Sequence, residues 1–376
     1  MTEWLKSGEA LQRLGVRSQT LYAYVSRGRV HAEADPDDPR RSRYRASDIA
    51  ALRVRKSRGR KAADVAADAI AWGEPVLASS ITTVADGRLY YRGRDAARLA
   101  ESETLESVAR LLRGGAGHAM RRTLRPTPPA AGTMRERAFA ALAMRAATAP
   151  AAADPADEAA GLLDILADAI TGEIGGGPIH ERLGRAWGCG PAGIDLVRRA
   201  LVLLADHELN PSTFASRVAA STGASLAACA LAGLATLSGP LHGGAAGAMG
   251  ALADEAERLG AQAVAARLAH GITAPGFGHP LYPDGDPRAR ALLGAFAAPP
   301  PLEALRRAME SATGHADNVD FALLALARAL GLPPDAPFAL FAVARCAGWT
   351  AHALEQGAEG ALIRPRARYA GPAPEV

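Results

Sequence analysis

Charged side chains are absent from one long stretch of the chain, between Arg217 and Asp254. The stretch is rich in Ala, Gly, Ser and Thr, has few large aliphatic residues, and is interrupted by Pro240 and His242. An uncharged run of this length is long enough to cross a bilayer, but weakly apolar helices also occur in the cores of large proteins. The interruptions and the small side chains favour a pair of buried helices, and we expect no membrane span.

Elsewhere, apolar runs follow side chains that commonly cap helices. Few runs combine β-branched and aromatic residues, so helices are expected to dominate. Three predicted helix starts have a polar cap: Asn210, Asp286 and Asn318. His207 then lies in the loop ahead of the first helix, and Arg288 and Asp320 lie in the first turns of the other two. The helix dipole disfavours a cation at Arg288, which indicates an anion nearby, and it keeps the Asp320 carboxylate ionised.

Two further polar residues lie in apolar surroundings. His242 interrupts a helical pattern between a proline and two glycines, in "GPLHGGA". Arg345, in "FALFAVARCAGW", is expected to be buried, which is rare for an arginine without a partner. Structural explanations exist too: Arg288 can pair with Asp284, and Arg345 can extend its charge to solvent along an apolar stem.

Taken together, these residues fit one reaction. Arginines without matching buried acids suit a small dicarboxylate or tricarboxylate, which guanidinium groups bind bidentately. Histidines in loops suit polarised carbonyl oxygens, and an ionised carboxylate suits proton removal. Proton abstraction next to one carbonyl, followed by attack on another, is a carbon–carbon condensation.

Composition sets the broad class. The 376 residues have room for two or three domains, and 49% of them are hydrophobic, which allows a large core. The three cysteines are far apart and lack the spacing of metal ligands, so we expect reduced thiols and no metal site. The first residues lack the apolar segment of a signal peptide, so we expect a cytoplasmic protein.

The net charge of +4 conceals an asymmetry. Residues 1–61 have fifteen basic and seven acidic side chains, a charge of +8, which leaves −4 for the remainder. In this basic head, two short helices are predicted to begin at Ser7 and Ser18, and a turn and a basic extended piece follow. The pattern resembles MerR-type winged helix-turn-helix domains.

In such a domain the second helix enters the major groove and the wing touches the DNA backbone. The resemblance implies DNA contacts from the helix by Gln19, Thr20, Tyr22 and Arg27, and phosphate contacts from the wing by Arg41, Arg43 and Arg45. A basic arm that docks on protein or assists assembly is the alternative.

The rest of the chain resembles the citrate synthases. The resemblance rests on ordered blocks near the family's spacing: "HELNPSTFASRVAAST", "GPLHGGA", "GFGH…DPRA", "NVDF", "FAVAR…GW.AH" and "RPRARY". The stretch "GEPVLASSITTVADGRLYYRGRDAARLAE" is also similar to the family's N-terminal strands and first helix. The resemblance covers roughly residues 73 to 371 and implies condensation of oxaloacetate with acetyl-CoA, a co-substrate rather than a permanently bound cofactor.

The resemblance also implies a role for each residue by position. His242 would hydrogen-bond the acetyl-CoA carbonyl as it becomes an enol, His279 would polarise the oxaloacetate ketone, and Asp320 would be the base. The residues that would hold oxaloacetate are His207, Arg288, Arg345 and, from a second subunit, Arg364. A site shared in this way implies a homodimer.

The expected architecture is mainly α-helical, with large and small citrate synthase-like subdomains behind a small winged helix-turn-helix-like domain. The expected division is a head at 1–61, a linker at 62–75, a large subdomain at 76–246 and 338–376, and a small subdomain at 247–337. Proline-rich stretches at 125–132 and 148–160 are expected to be surface loops.

The chain departs from the family at several positions. "GFGHPLYP" stands where the family commonly has "GFGHRVYK", "HGGAAG" replaces the usual "HGGANE", and Ala322 follows "NVDF" where an aromatic residue is usual. The preferred length of the acyl chain is therefore not fixed by the sequence, and propionyl-CoA, which would give 2-methylcitrate, is an alternative to acetyl-CoA. A metabolite-sensing DNA-binding regulator with a residual site is a hypothesis of a different class.

Overall fold

The computed structural model describes residues 4–14, 20–21, 24–25, 30–36, 38, 42–49, 77–115, 131–148, 154–268, 275–367, 369 and 371–372. The chain divides into two compact units, one formed by Met1–Ala78 with Arg366–Val376 and the other by Ser79–Pro365. Within the described ranges, no helix is both long enough and apolar enough to cross a membrane.

The first unit contains a small antiparallel sheet. Its elements are β1 (Trp4–Lys6), α1 (Ser7–Leu14), β2 (Ala32–Ala34) and β3 (Ser42–Arg45), and the strand order is β1-β3-β2. The register pairs Leu5 with Tyr44 and Glu33 with Arg43. Leu5 and Tyr44 join a small apolar core with Leu14, Leu21 and Ile49.

The predicted recognition helix is only partly described. Residues 20–21 and 24–25 are helical and Thr20 is exposed, whereas Gln19, Tyr22, Arg27 and Arg41 lie outside the described residues. Arg43 forms an ion pair with Glu33 on the neighbouring strand, with a 2.6 Å hydrogen bond from its Nε. Arg43 and Arg45 both lie over the Trp4 ring, at 5.4 and 5.8 Å from its centroid.

The second unit begins with an antiparallel sheet and continues as helices. The strands are β4 (Thr82–Ala85), β5 (Arg88–Tyr91) and β6 (Arg94–Asp95), in that order across the sheet. The helices that follow are α2 (Ala96–Ser102), α3 (Leu105–Leu112), α4 (Met134–Thr148), α5 (Pro155–Thr171), α6 (Ile179–Ala186), α7 (Pro191–Leu204), α8 (Pro211–Ser221), α9 (Leu226–Leu237), α10 (Ala245–Leu259), α11 (Ala261–Leu268), α12 (Pro287–Leu293), α13 (Pro300–Thr313), α14 (Val319–Leu330) and α15 (Ala336–Glu359).

One part of the loop prediction is wrong. The stretch 148–160 was expected to be a surface loop because of its prolines, but α5 begins at Pro155. Asp154 caps this helix by accepting a hydrogen bond from the Ala156 N–H at 2.8 Å. Proline in the first turn needs no N–H partner, so "DPADEAA" starts a helix rather than interrupting one.

Helix α15 is the central element of the main core. It packs against α3, α5, α7, α8 and α9, and nearly all of its residues up to Ala353 are buried. The absence of a side chain at Gly233 lets α9 approach it closely, because a Cβ there would lie 2.6 Å from the Trp349 ring. The uncharged stretch contains two helices, as predicted, but they pack in different places: α9 lies in the main core, and α10 lies in a second apolar cluster.

A second apolar cluster lies among α10, α11, α13 and one face of α14, with Phe277 from the loop that precedes α12. The other face of α14, and α12, pack on the main core instead. The loop at 275–286 and the first turns of α12 and α14 therefore lie where the two clusters meet.

Candidate active site

His207 lies in a loop that is anchored from behind. The hydroxyl of Tyr91 lies 3.1 Å from each of two carbonyl oxygens at the end of α7. The next residue that fixes the loop is Asp206, whose fully buried carboxylate is 3.1 Å from Nε2 of His352 on α15. Asn210 caps α8 and closes the loop, as the sequence predicted.

His207 contacts a second loop through its ring. Its Nε2 lies 2.8 Å from the hydroxyl of Tyr282, and its ring is 5.1 Å from that of His279, edge to face. The rings of His279 and Tyr282 are 4.9 Å apart, which completes a triangle. Burial, and then the positive charges of Arg288 and Arg345, hold the pKa of His207 well below its usual value. His207 is therefore neutral at physiological pH.

The tautomer of His279 follows from its backbone contact. Its Nδ1 accepts a hydrogen bond from the Leu281 N–H at 3.2 Å, so the ring proton of the neutral form is on Nε2. Burial, followed by the charge of Arg288, lowers the pKa of His279 to about 4. His279 is thus a neutral donor through Nε2.

His242 occupies the turn between α9 and α10. The turn requires a glycine at position 244, because a Cβ there would lie 2.6 Å from two backbone oxygens. Nε2 of His242 is 2.9 Å from Oγ of Ser212, which also accepts a hydrogen bond from Nε1 of Trp349 at 3.1 Å. Burial, followed by the charges of two arginines, lowers the pKa of His242 to about 3.

Ser212 controls the His242 tautomer. Its hydroxyl has one proton to give, and both Oδ1 of Asn210, at 2.7 Å, and Nε2 of His242 are within reach. When the proton goes to His242, the neutral imidazole keeps its own proton on Nδ1 and can donate from there.

Arg345 is held by one edge of its guanidinium group. Its Nε donates to the Leu204 carbonyl at 2.9 Å, and its group lies 4.8 Å from the centroid of the Phe341 ring. One terminal nitrogen is buried and has no hydrogen-bond partner among the described residues. With 1% of its surface exposed, the side chain does not extend to solvent, and burial lowers its pKa to about 10. The arrangement fits an anionic ligand.

The interpretation of Arg288 needs a correction. From the sequence, Arg288 is expected to lack a buried acid or to pair with Asp284. In the structure it forms a bidentate pair with Asp286, at 3.0 Å from Nε and 2.8 Å from a terminal nitrogen. The cap residue of α12 lies two positions before Arg288, so the arginine folds back over the first turn to reach it. This partner, rather than a ligand alone, compensates the cation at the helix start.

Asp320 lies in the first turn of α14, as predicted. Asn318 caps the helix and accepts a hydrogen bond from the Asp320 N–H at 3.0 Å. The pKa of Asp320 is raised to about 6, mainly by burial and also by the charge of Asp286, against the opposing charges of Arg288 and Arg345. The helix dipole therefore does not dominate, and the carboxylate is ionised at neutral pH but more basic than a surface aspartate.

Phe341 links the parts of the site. Its ring is 5.9 Å from that of His242 and lies beside Arg345, while Tyr282 lies 5.7 Å from the guanidinium carbon of Arg288. Arg364 is the predicted site residue that is not connected to the rest of the site. It is exposed in the segment that follows α15, and no hydrogen bond or ion pair between described residues joins it to the other predicted site residues.

Comparison with known proteins places this arrangement in context. A family model for the citrate synthase C-terminal domain matches residues 119–366. The chain is 41% identical to a citrate synthase of Haloferax volcanii over 185 residues, 46% of this chain and 49% of that protein. It is 33% identical to a 2-methylcitrate synthase of Shewanella oneidensis over 187 residues, 46% of this chain and 50% of that protein. The chain spans about half the length of the curated relatives it matches.

A solved structure agrees over a longer part of the chain. This is the citrate synthase from the thermophilic archaeon Thermoplasma acidophilum, in a ternary complex with carboxymethyl coenzyme A and oxaloacetate. It superposes with a TM-score of 0.63 at 26% identity, and the match covers 80% of this chain and 95% of that one.

Proposed function

The chain belongs to the citrate synthase family, and we propose that it condenses acetyl-CoA, oxaloacetate and water to citrate and free CoA. The observation that carries the proposal is Arg345, whose buried terminal nitrogen has no partner among the described residues, close to Asp320 and the neutral histidines. A buried cation of this kind suits a substrate carboxylate, and a basic buried carboxylate suits removal of a proton from carbon.

The first step is enolisation. Asp320, ionised at neutral pH, takes a proton from the methyl group of the thioester. His242 donates a hydrogen bond from Nδ1 to the thioester oxygen as negative charge develops there, in the arrangement where Ser212 donates to its Nε2. A neutral donor in a buried site stabilises that charge without transferring a full proton.

The second step forms the carbon–carbon bond. The enolate carbon attacks the ketone carbon of oxaloacetate, and the Nε2–H of His279 hydrogen-bonds to the ketone oxygen as it becomes an alkoxide. The alkoxide then takes up the proton that Asp320 removed and becomes the alcohol of the product, which returns Asp320 to its ionised form. Water then cleaves the thioester and releases CoA. His207, Arg288 and Arg345 hold the oxaloacetate carboxylates, and no permanently bound cofactor takes part.

Arg364 belongs to the proposal as a residue from a second subunit. It is exposed on the chain that carries it, so it is accessible to the site of another copy. A homodimer with shared sites follows, and we expect it in the cytoplasm.

The test is a coupled assay for CoA release with acetyl-, propionyl- and butyryl-CoA in the presence of oxaloacetate. Release with acetyl-CoA that is lost in Asp320→Ala supports citrate synthesis. No release with any of the three thioesters would contradict the enzyme assignment and favour a regulator with a residual site.

Propionyl-CoA is a second candidate acyl substrate, supported by two specific observations. The similarity to the Shewanella 2-methylcitrate synthase and the departures in "GFGHPLYP" and "HGGAAG" favour testing propionyl-CoA as a substrate that gives 2-methylcitrate. A value of kcat/KM higher for propionyl-CoA than for acetyl-CoA would make this the main activity.

The basic head is proposed to bind DNA. Its hairpin of β2 and β3 places Arg43 and Arg45 on one strand beside Trp4, which fits the wing of a winged helix-turn-helix domain. A docking or assembly arm is the alternative.

A further inference from the structure

One carboxylate joins two parts of the candidate site. Oδ1 of Asp286 accepts hydrogen bonds from the backbone N–H and from Nε of Arg288, at 2.9 and 3.0 Å. Its Oδ2 accepts from a terminal nitrogen of Arg288 at 2.8 Å and from the N–H of Val319 at 3.1 Å. Asp286 is 2% exposed, so all four bonds are shielded from water.

These bonds connect Asp286 to Arg288, which is proposed to bind a substrate carboxylate, and to the residue that precedes the proposed base, Asp320. Val319 is the first residue of α14 and directly precedes Asp320. A shift of Asp286 would therefore move the guanidinium of Arg288 and the first turn of α14 together. The capping function of Asp286 uses only one of the four bonds, so the other three are beyond what starting α12 requires.

We infer that Asp286 is a positioning residue, which fixes the distance between the carboxylate-binding Arg288 and the base Asp320. The inference rests on the proposed function, because it assigns a purpose to the geometry of that site. Asp286 need not touch the substrate, since it acts through the two residues that do.

Its charge has a second effect on the same pair. The groups that face Asp320 are Asp286, Arg288 and Arg345, and of these only Asp286 makes the carboxyl more basic. Without that charge, the buried Arg288 would be uncompensated and would stabilise ionised Asp320. The base would then be weaker, while the cations that bind oxaloacetate would remain.

The test compares Asp286→Asn with Asp284→Asn in the full-length protein. Asparagine caps a helix as well as aspartate does, so α12 is retained, but its amide group meets the donors of Arg288 and Val319. Asp284 is an exposed acid in the same loop, and its substitution is the matched control for lost charge. Melting temperatures of both variants check folding.

We expect Asp286→Asn to lower kcat by about tenfold or more, because a weaker and displaced base removes the proton more slowly. The acidic limb of the pH–rate profile moves to lower pH, and the Kd of oxaloacetate from calorimetry changes by less than about threefold. Asp284→Asn behaves as the wild type. A purely structural role predicts equal losses in kcat and in oxaloacetate binding, with no shift of the limb, and either that pattern or an unchanged kcat would overturn the inference.

A second readout does not depend on turnover. In protein labelled with [γ-13C]aspartate, the Asp320 resonance is assigned by its loss in Asp320→Asn and followed against pH. Its midpoint falls in Asp286→Asn if the inference holds and is unmoved if it does not. Absence of CoA release by the wild type would refute the proposed function, and this titration would still decide the role of Asp286.

Discussion

Nε2 of His207 and the hydroxyl of Tyr282 are 2.8 Å apart, although 75 residues separate them in the chain. Burial raises the pKa of Tyr282 far above its usual value, so the phenol keeps its proton. A phenol donates more readily than a neutral imidazole, so the proton of Tyr282 points to Nε2 and the proton of His207 is on Nδ1.

Tyr282→Phe removes only this hydroxyl and keeps the ring. Nε2 of His207 is left buried without a donor, so we expect the Kd of oxaloacetate to rise by about tenfold, with kcat changed by less than about threefold. Calorimetry and CoA release measure the two quantities, and Tyr90→Phe, at a half-buried tyrosine of β5, is the control. A larger loss in kcat than in affinity would indicate that Tyr282 takes part in the chemistry.

Asp320→Ala removes the proposed base. We expect kcat for CoA release to fall by about 100-fold or more, whereas oxaloacetate still binds, because the arginines and His207 remain. An unchanged rate would mean that another group removes the proton.

Activity should have an acidic limb near pH 6. The base must be ionised, and the pKa of Asp320 is raised to about 6, so kcat falls as the pH drops through that value. His242 and His279, with pKa values lowered to about 3 and about 4, stay neutral over this range. A pH–rate profile between pH 5 and pH 8.5 checks this, and a limb near pH 4 would show that Asp320 is not shifted or is not the base.

Arg345→Leu removes a buried cation without adding a polar group. Oxaloacetate affinity should fall by about tenfold to 100-fold, because a charge-assisted hydrogen-bond donor is lost. Calorimetric titration measures the change, with Arg98→Leu, at an exposed arginine of α2, as the control. Unaltered oxaloacetate binding would indicate that Arg345 has only a structural role, through its contacts with Phe341 and the Leu204 carbonyl.

Removal of residues 1–61 should leave condensation largely intact, since all the proposed catalytic residues lie in the second unit. In the proposed homodimer, the two heads would bind a DNA site with two-fold symmetry. DNA binding measured by gel shift should weaken steeply as the salt concentration rises, because phosphate contacts release counterions. It should also weaken in the Arg43→Ala, Arg45→Ala double variant, because two of the proposed phosphate contacts are lost. No binding at low salt would favour the docking arm, and loss of activity on deletion would show that the head supports the dimer.

Local signals in the sequence located the helix starts nearest the candidate site. The caps at Asn210, Asp286 and Asn318 all begin helices in the structure, because capping depends on a few neighbouring residues. The same local reasoning failed at 148–160, where prolines suggested a loop and Pro155 in fact begins α5.

Contacts between distant segments were harder to predict. No pattern in the sequence marks Tyr282 or Ser212 as part of the site, and the pattern around Asp286 indicates only a helix cap. Their partners depend on how the loops pack and on side-chain rotamers, neither of which has a periodic signal. The aspartate two positions before Arg288 was visible, but only the rotamer of Arg288 shows that it is the partner rather than Asp284.

The burial of α15 has a consequence for motion. Its backbone N–H groups, packed on several sides by other helices, should exchange with deuterium only when the whole second unit unfolds. Arg345 is attached to this slowly exchanging helix, whereas Tyr282 lies in a loop, where its backbone hydrogen bonds are those of turns, to the His279 carbonyl and from the Gly285 N–H. The site therefore combines residues on a slowly exchanging helix with residues on a loop that should exchange faster. Oxaloacetate would contact both, so its binding should slow hydrogen–deuterium exchange mainly in the loop.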